Sequence, residues 1–290
     1  MKRLDPFVHL HSHTEYSLFD GISRIGELVS HVKEMGQTAL AITDHGVMYG
    51  AVYLYKECIK QGIKPIIGCE IYVTRGGRFD KSGNGKEKLA HLILLAENNE
   101  GYQNLIKICS KAWTEGYYHR PRADHELLEK YHEGLIVTSA CVGGEVPQAI
   151  LNGDMDEARK VIEFYINTFG KDNYFLEIQN HGLPEEAAVR PVLASLAKEY
   201  GLGLVATNDF HYTKKEDARS QEIKLCISTG KTLDDPYHFH FANDEFYCKS
   251  GDEMRAILGN FPGAIENTRV IADRCNVELT FGEHKLPSFD

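Results

Sequence analysis

Short runs of β-branched and large apolar residues recur along the chain, each followed by a longer amphipathic stretch. The runs at Phe7–His11, Ala39–Thr43, Lys64–Tyr72, Leu89–Ala96, Gly134–Ala140, Tyr174–Gln179 and Leu202–Thr207 have the length and composition of strands. Between them, apolar positions three and four residues apart predict helices over Ile22–Met35, Ala51–Gln61, Tyr102–Trp113, Glu145–Leu151, Met155–Phe169, Glu185–Tyr200 and Lys214–Ser228. Strands alternating with helices predict an α/β fold of parallel βαβ units. About seven such units favour a TIM-like barrel over an open doubly wound sheet, the alternative architecture. After Cys226 the pattern changes to "FYCKSGDEMRAIL" and "FPGAIENTRVIADRC", a short strand and two helices. The expected organisation is a barrel core over 1–228, a closing part over 229–280 and an extended linker over 281–290.

The segment Thr74–Lys88, "TRGGRFDKSGNGKEK", is rich in glycine and charge and is expected to be an exposed, mobile loop. Its glycines do not follow the dinucleotide-binding fingerprint. No apolar run is long enough to cross a membrane, and "MKRLDPFVHL" lacks the apolar core of a signal peptide, so the expected location is the cytoplasm. The 7 cysteines are scattered, odd in number and without a CxxC pair, which reads as reduced thiols. Net charge is −10, from 32 basic and 42 acidic residues, so the chain as a whole offers no electrostatic footprint for nucleic acid.

Its 14 histidines change that picture, because of where they fall. In "FVHLHSHTEYSLFDG", His9, His11 and His13 occupy alternate positions and so share one face of an extended strand. His11 and His13 end the first strand, and Asp20 lies in the loop after it. Asp44 and His45 follow the second strand in "ITDHG", and Glu70 comes late in the third. Cys141 falls just past the fifth strand, Asp209 and His211 just past the seventh. In a barrel those strand ends meet on one face, where such folds build their sites. His91 is the exception: it falls early in its strand, and in an all-parallel barrel it would sit at the wrong end. Imidazole, thiolate and carboxylate groups are ligands for zinc, manganese and iron, and carboxylates allow paired ions. Paired ions are a recurring device of phosphoryl chemistry.

Other polar residues have plainer readings. His9, deeper in its strand, reads as a satisfied core histidine. The second HxH, in "YHFHF" (Tyr237–Phe241), follows Pro236 and is expected off the barrel. Cys58, Cys69, Cys109, Cys226, Cys248 and Cys275 fit buried thiols. Asp44 reads equally as a ligand or as a group that orients one. Glu177, Gln179, Asn180 and His181, and the basic-aromatic "YYHRPR" (Tyr117–Arg122), read as solvated loop residues before contacts to a substrate. The glycines of "CVGGE" fit a tight turn or an anion cradle at a helix start.

Taken together, "HLHSHTEYSLFDG", "ITDHGVMYGAVYLYKECIKQGIKPIIGCEIYV", "HLILLAENNEGYQNLIKICSKAW", "GLIVTSACVGGEV" and "ATNDFHYTKKEDARSQEIKLCISTGKTL" resemble the PHP (polymerase and histidinol phosphatase) domain family. The resemblance is to the branch carried at the N-terminus of bacterial replicative DNA polymerases, the polymerase III alpha subunits. It covers nearly the whole chain. It implies a distorted (β/α)7 barrel holding three divalent ions, zinc, manganese or iron. By that resemblance His11, His13, Asp209 and Glu70 hold the first ion, with Glu70 bridging to a second completed by His91 and Cys141. Asp20, His45 and His211 hold the third. His11, His13, Glu70, Asp209 and His211 are the expected catalytic set. The resemblance further implies a 3′–5′ proofreading exonuclease whose substrate is a DNA 3′ end, with palm, fingers and thumb as partners outside this chain and "KLPSFD" leading toward them. Two alternatives stay open: a metal-stabilised module without catalysis, and a small-molecule phosphatase of the histidinol-phosphate type.

Overall fold

The apolar runs become the strands of one sheet in the computed structural model, which describes residues 4–82 and 89–283. The elements are α1 (Ile25–Glu34), β1 (Ala39–Ile42), α2 (Ala51–Gln61), β2 (Lys64–Val73), β3 (Ala90–Ala96), α3 (Asn99–Thr114), β4 (Arg122–Ala123), α4 (His125–Lys130), β5 (Leu135–Thr138), α5 (Glu145–Leu151), α6 (Met155–Phe169), β6 (Tyr174–Ile178), α7 (Pro184–Tyr200), β7 (Gly203–Ala206), α8 (Ala218–Thr229), α9 (Gly251–Leu258) and α10 (Glu266–Arg274). The strands pair in the order β1-β2-β3-β5-β6-β7, with the short β4 added to β2. The result is a mixed α/β fold with a curled sheet.

Two features depart from the all-parallel expectation. First, β3 is antiparallel to both neighbours, with Tyr72 opposite His91 and Ile93 opposite Thr138. The other neighbouring pairs along the path, β1 with β2, β5 with β6 and β6 with β7, are parallel. Second, Phe7–His11 forms no laddered strand. The N-terminal segment instead stands between the two ends of the curl through isolated bridges, Asp5 to Gln37 and His9 to Leu40 on one side, Ser12 to Phe210 on the other. Its ladder is broken because side chains take its amides: Phe7 N donates to Asp5, Val8 N to Thr268 Oγ1 and Ser12 N to Thr43 Oγ1.

Alternation along each strand decides what faces where. Leu40 and Ile42 turn outward against α1 and α2, and Leu92, Leu94, Val137, Leu176 and Leu204 turn outward against α3, α6 and α7. The intervening residues Ala39, Ala41, Ile66, Ile93, Leu95, Ile136, Phe175 and Val205 form a separate inner cluster with Val8 and Leu10. Ile271, Ala272 and Cys275 of and after α10 complete this cluster, so the C-terminal part closes one end of the curl. At the opposite end the same inner positions become polar: Thr43 and His45, Glu70, His91, Thr138, Glu177 and Gln179, Thr207 and Asp209.

One junction depends on a glycine. The start of α3 packs so closely on the turn before β5 that a Cβ at Gly101 would lie 1.7 Å from the Gly134 carbonyl oxygen. That oxygen also accepts from the Glu97 amide, so it cannot move without loss. Gly101→Ala is therefore expected to destabilise the chain by about 2–3 kcal/mol, read as a lower urea midpoint at unchanged slope; an unchanged midpoint would contradict the packing.

Candidate metal centre

The polar end of the inner register places side chains from five other segments around one carboxylate. Glu70 lies near the end of β2 and is buried. Its Oε1 is 2.7 Å from His91 Nδ1 and 3.6 Å from His11 Nε2; its Oε2 is 2.5 Å from His45 Nδ1 and 3.4 Å from His13 Nε2. Asp209 Oδ1 approaches His11 Nε2 at 3.1 Å and His13 Nε2 at 2.9 Å. Asp20 Oδ2 lies 3.3 Å from His45 Nε2 and 3.6 Å from His211 Nε2. Cys141 Sγ is 3.5 Å from His91 Nδ1. The structure thus brings together all nine residues expected from the sequence. His91 joins them because β3 runs backwards: the beginning of an antiparallel strand shares a rim with the ends of its neighbours.

Each inner histidine is held by a group behind it. Glu177 accepts from His11 Nδ1 at 2.6 Å and is itself gripped by Thr138, Thr207 and Gln179. His13 Nδ1 donates to Ser17 Oγ at 3.0 Å, and Ser17 in turn donates to Asp44 at 2.7 Å. Asp44 also takes the Thr14 amide at 2.7 Å, pinning the loop that carries Asp20. Gly21 lets that loop close, since a Cβ there would lie 2.2 Å from the Thr14 carbonyl. His211 Nδ1 donates to the Asp209 carbonyl at 2.9 Å. With one ring nitrogen of each so engaged, the Nε2 atoms of His11, His13 and His211 are left to face the carboxylates.

A test of whether cations fit lies in the atoms left over. His11 Nε2, His13 Nε2, His45 Nδ1, both Glu70 oxygens, Asp20 Oδ1 and Asp209 Oδ1 are buried without a hydrogen bond. Orphaned groups of this kind are costly and rare. They are close to one another yet not aligned as donor and acceptor, so they converge on shared points. Three sets have ligand atoms within 4.8 Å of one another: His11, His13 and Glu70; Glu70, His91 and Cys141; His13, His45 and His211. Nitrogen, oxygen and sulfur donors in these sets suit zinc, manganese or iron. The residues fit divalent ions.

Electrostatics agree. Burial works against charged imidazoles, but Asp209 and Glu177 raise His11, and Asp20 and Glu70 raise His45, both well above the ordinary value. Burial and the neighbouring His45 and His211 push His13 down to about 3. Burial alone would raise Glu70, yet His91 and His45 hold it well below the usual carboxylate range. Asp209 and Asp20 are lowered likewise, against their burial, by His11 and by His45 respectively. Burial, then Asp209 and Glu70, pushes the Cys141 thiol well up, so without a cation it stays protonated. Two strand ends at this rim also carry left-handed backbone at residues other than glycine, Ala140 (φ 59°) and Asp209 (φ 42°). Such strain is uncommon and clusters at functional sites.

Several sequence expectations need correction. Glu177, Gln179 and His181 are buried and hydrogen-bonded, not solvated; His181 pairs with Glu186 and the Asn208 carbonyl. The signal for Glu177 was its register, an acid at an inner position of the fully buried strand "YFLEI". Ser17, Thr138 and Thr207 were missed, since a hydroxyl near a ligand has no pattern of its own. "YYHRPR" divides: Arg122 is buried and binds the Gly116 and Arg78 carbonyls, while Arg120 is exposed. "YHFHF" is not off the site altogether, because Phe241 packs edge-on against His211 at 4.9 Å. Its two histidines bind elsewhere, His238 to Glu222 and His240 to the His238 carbonyl. The loop expected over Thr74–Lys88 is anchored at Arg78, buried against Asp124 and Glu115, and residues 83–88 lie outside the described residues, as do 284–290 of the expected linker.

Other readings match the structure. His9 is buried between Phe7 and Phe210 and bonds the Lys249 carbonyl through Nε2 at 2.7 Å, so it is a core histidine satisfied at one nitrogen only, Nδ1 having no hydrogen bond; burial lowers it to about 4. The six remaining cysteines are buried free thiols. Asp44 orients the loop. The "CVGGE" glycines make a tight turn, Gly144 N donating to the Cys141 carbonyl; a Cβ at Gly144 would lie 2.0 Å from the Ser139 carbonyl.

The family model described as the PHP domain matches residues 9–181. The chain is 48% identical over 284 residues to the DNA polymerase III subunit alpha of Treponema pallidum, covering 98% of this chain and 24% of that protein. It is 47% identical over 295 residues to that of Thermus aquaticus, again covering 98% and 24%. The chain thus spans about a quarter of the length of these relatives. A solved amidohydrolase from Chromobacterium violaceum aligns at 15% identity and a TM-score of 0.47, over 75% of this chain and 96% of that one, too distant to carry an argument.

Proposed function

The chain belongs to the PHP domain family, and from that premise we propose that it is the PHP module of a bacterial replicative DNA polymerase alpha subunit. In this reading it is a divalent-metal-dependent phosphodiesterase that removes nucleotides from a DNA 3′ end. The observation that carries the reading is the convergence of unpaired, buried donors on Glu70. The curled sheet with its N-terminal segment is read as the distorted (β/α)7 barrel. His11, His13, Asp209 and Glu70 would hold one ion, Glu70, His91 and Cys141 a second, and Asp20, His45 and His211 a third. Zinc, manganese or iron held there would offset phosphoryl charge and supply a nucleophile at neutral pH.

The chain's own residues do the rest. Glu177 keeps His11 in one tautomer and orientation. Asp44, through Ser17, does the same for His13. Thr138, Thr207 and Gln179 keep Glu177 from turning away, and the dry inner cluster beneath excludes water from that side. His11, His13, Glu70, Asp209 and His211 form the catalytic set in this reading. The remainder of the alpha subunit is the partner that supplies basic surface, since this chain carries −10. The role places the protein in the cytoplasm; among the described residues no helix is long and apolar enough to cross a membrane.

The test is incubation of single-stranded and 3′-recessed DNA oligonucleotides with the chain and added manganese or zinc, beside His13→Ala. Stepwise shortening from the 3′ end is expected, abolished by the substitution and by chelator. No shortening by protein shown to carry its ions would favour the non-catalytic module, to which the acidic charge already lends weight. Faster turnover of a phosphomonoester than of the oligonucleotide would favour the phosphatase.

A further inference from the structure

Beside the cluster lies a cleft that the chemistry above leaves unused. Two adjoining hollows, of about 520 Å³ and about 440 Å³, share Tyr72, His119 and Arg120 as a common wall. One reaches His91 and the other His45, the two histidines that lie against Glu70 from the open side. Building on the phosphodiesterase reading, we propose that this cleft seats the terminal nucleotides of a single-stranded nucleic acid, a base stacking on the Trp113–Tyr117 pair and a phosphate resting on Arg120.

Trp113 lies in the last turn of α3 and Tyr117 three residues beyond its end, with ring centroids 5.3 Å apart and planes at 12°. They remain 41% and 47% exposed, although rings of this size normally seek burial. The indole is also fixed in place: Nε1 donates to the Gly46 carbonyl at 2.8 Å, one residue after His45. A pre-set aromatic face open to solvent is what a nucleobase stacks on, whatever its sequence.

Arg120 supplies the second half. Its guanidinium lies 5.7 Å from the Phe19 ring centre and 5.6 Å from that of Tyr72, held by aromatic faces and not by an acid. Among the described residues it makes no ion pair, in a chain where acids outnumber bases. An exposed, planar, uncompensated cation between two rings suits a phosphate, which it can bind through two parallel hydrogen bonds. The turn that presents it is strained, with His119 at φ 60° and the Tyr118 amide donating to the Arg120 carbonyl at 3.1 Å. Base, phosphate and metal-binding donors thereby fall along one cleft.

Trp113 is the chain's sole tryptophan, so its emission reports the proposal without any turnover. The 290-residue chain would be titrated with a short oligothymidylate whose 3′ linkages are phosphorothioates, and with an abasic sugar-phosphate strand of equal length. Anisotropy of labelled strands would follow binding in parallel. A saturable change in tryptophan emission is expected with the oligothymidylate and not with the abasic strand. Arg120→Ala, which removes charge-assisted hydrogen bonds to the phosphate, should weaken binding about tenfold. Arg159→Ala, which removes an exposed cation on α6 paired to Glu199, should not. An absence of binding, binding without a change in emission, an equal response to the abasic strand or an equal loss in Arg159→Ala would each overturn the proposal. Emission changes without cleavage in the exonuclease assay would sink the enzymatic reading and leave the cleft standing; cleavage without emission changes would do the reverse.

Discussion

Glu70→Gln is expected to abolish metal retention and with it any phosphodiesterase activity, the largest effect of a single substitution in this chain. Glutamine keeps the volume and the hydrogen-bonding length but removes the charge. Glu70 lies within 3.6 Å of four histidines, so its loss uncouples two of the three ligand sets together. Removing one partner of a buried ionic set costs about 3–5 kcal/mol, and at ~1.4 kcal/mol per tenfold this amounts to a factor of ~10²–10³ or more in ion affinity. Metal content after dialysis, measured by mass spectrometry beside the activity assay, reads both consequences. Glu177→Gln makes the graded comparison: it leaves every expected ligand in place and weakens only the grip on His11, so a loss of ~10–100-fold is expected. Full metal content in Glu70→Gln would show that the carboxylate holds no ion.

Chelation is expected to lower the melting temperature by about 10 °C or more. An ion bound only by the folded chain adds about 4 kcal/mol at a thousand times its dissociation constant, and ~1 kcal/mol moves Tm by about 2–4 °C at this size. The size of the drop should depend on pH. In the metal-free chain His11 and His45 have folded values raised well above the ordinary 6.5, by Asp209 and Glu177 and by Asp20 and Glu70, against the opposing effect of burial. Their contribution is fully present below pH about 6.5 and fades as pH rises through the raised values. His9 and His13, depressed by burial to about 4 and about 3, act oppositely and only below pH about 6.5. The metal-loaded chain needs neutral imidazoles and so gains from rising pH. Melting curves with and without chelator should therefore diverge from pH 6.5 toward 8.5. Coincident curves at every pH would mean that the cluster binds no ion.

The elements were legible because both faces of the sheet are buried and apolar, so strand runs stand out from helical ones. Direction was not, since alternation with a period of two is the same read forward or backward. Nothing in "KLAHLILLA" says that β3 runs against its neighbours, and the placement of His91 turns on that alone. The ragged pairing of the N-terminal segment was hidden for a different reason: Thr43 and Thr268 replace backbone acceptors with hydroxyls, and they lie far from it in sequence. Ligand-type residues were readable because imidazole is an odd choice in a strand. Their supports were not, because Glu177 or Ser17 becomes meaningful only when a histidine is seen in front of it. The "YYHRPR" segment was ambiguous for as long as Arg120 and Arg122 were neighbours in a string, and ceased to be so once one was buried and the other exposed.

The bridge from Ser12 to Phe210 has a consequence for how the chain is made. His11 meets Glu177 across 166 positions, and the Asp209 and His211 side chains come later still. Contacts of such sequence separation form late, because the loop must close before they repay its entropy. A ribosome releases the first histidines long before Asp209 and His211, so in the proposed assignment the first and third ligand sets stay unfinished until the chain after β7 has emerged. Full loading of the cluster would then mark the completed fold, and a chain truncated before β7 would lack the Asp209 and His211 ligands of the first and third sets.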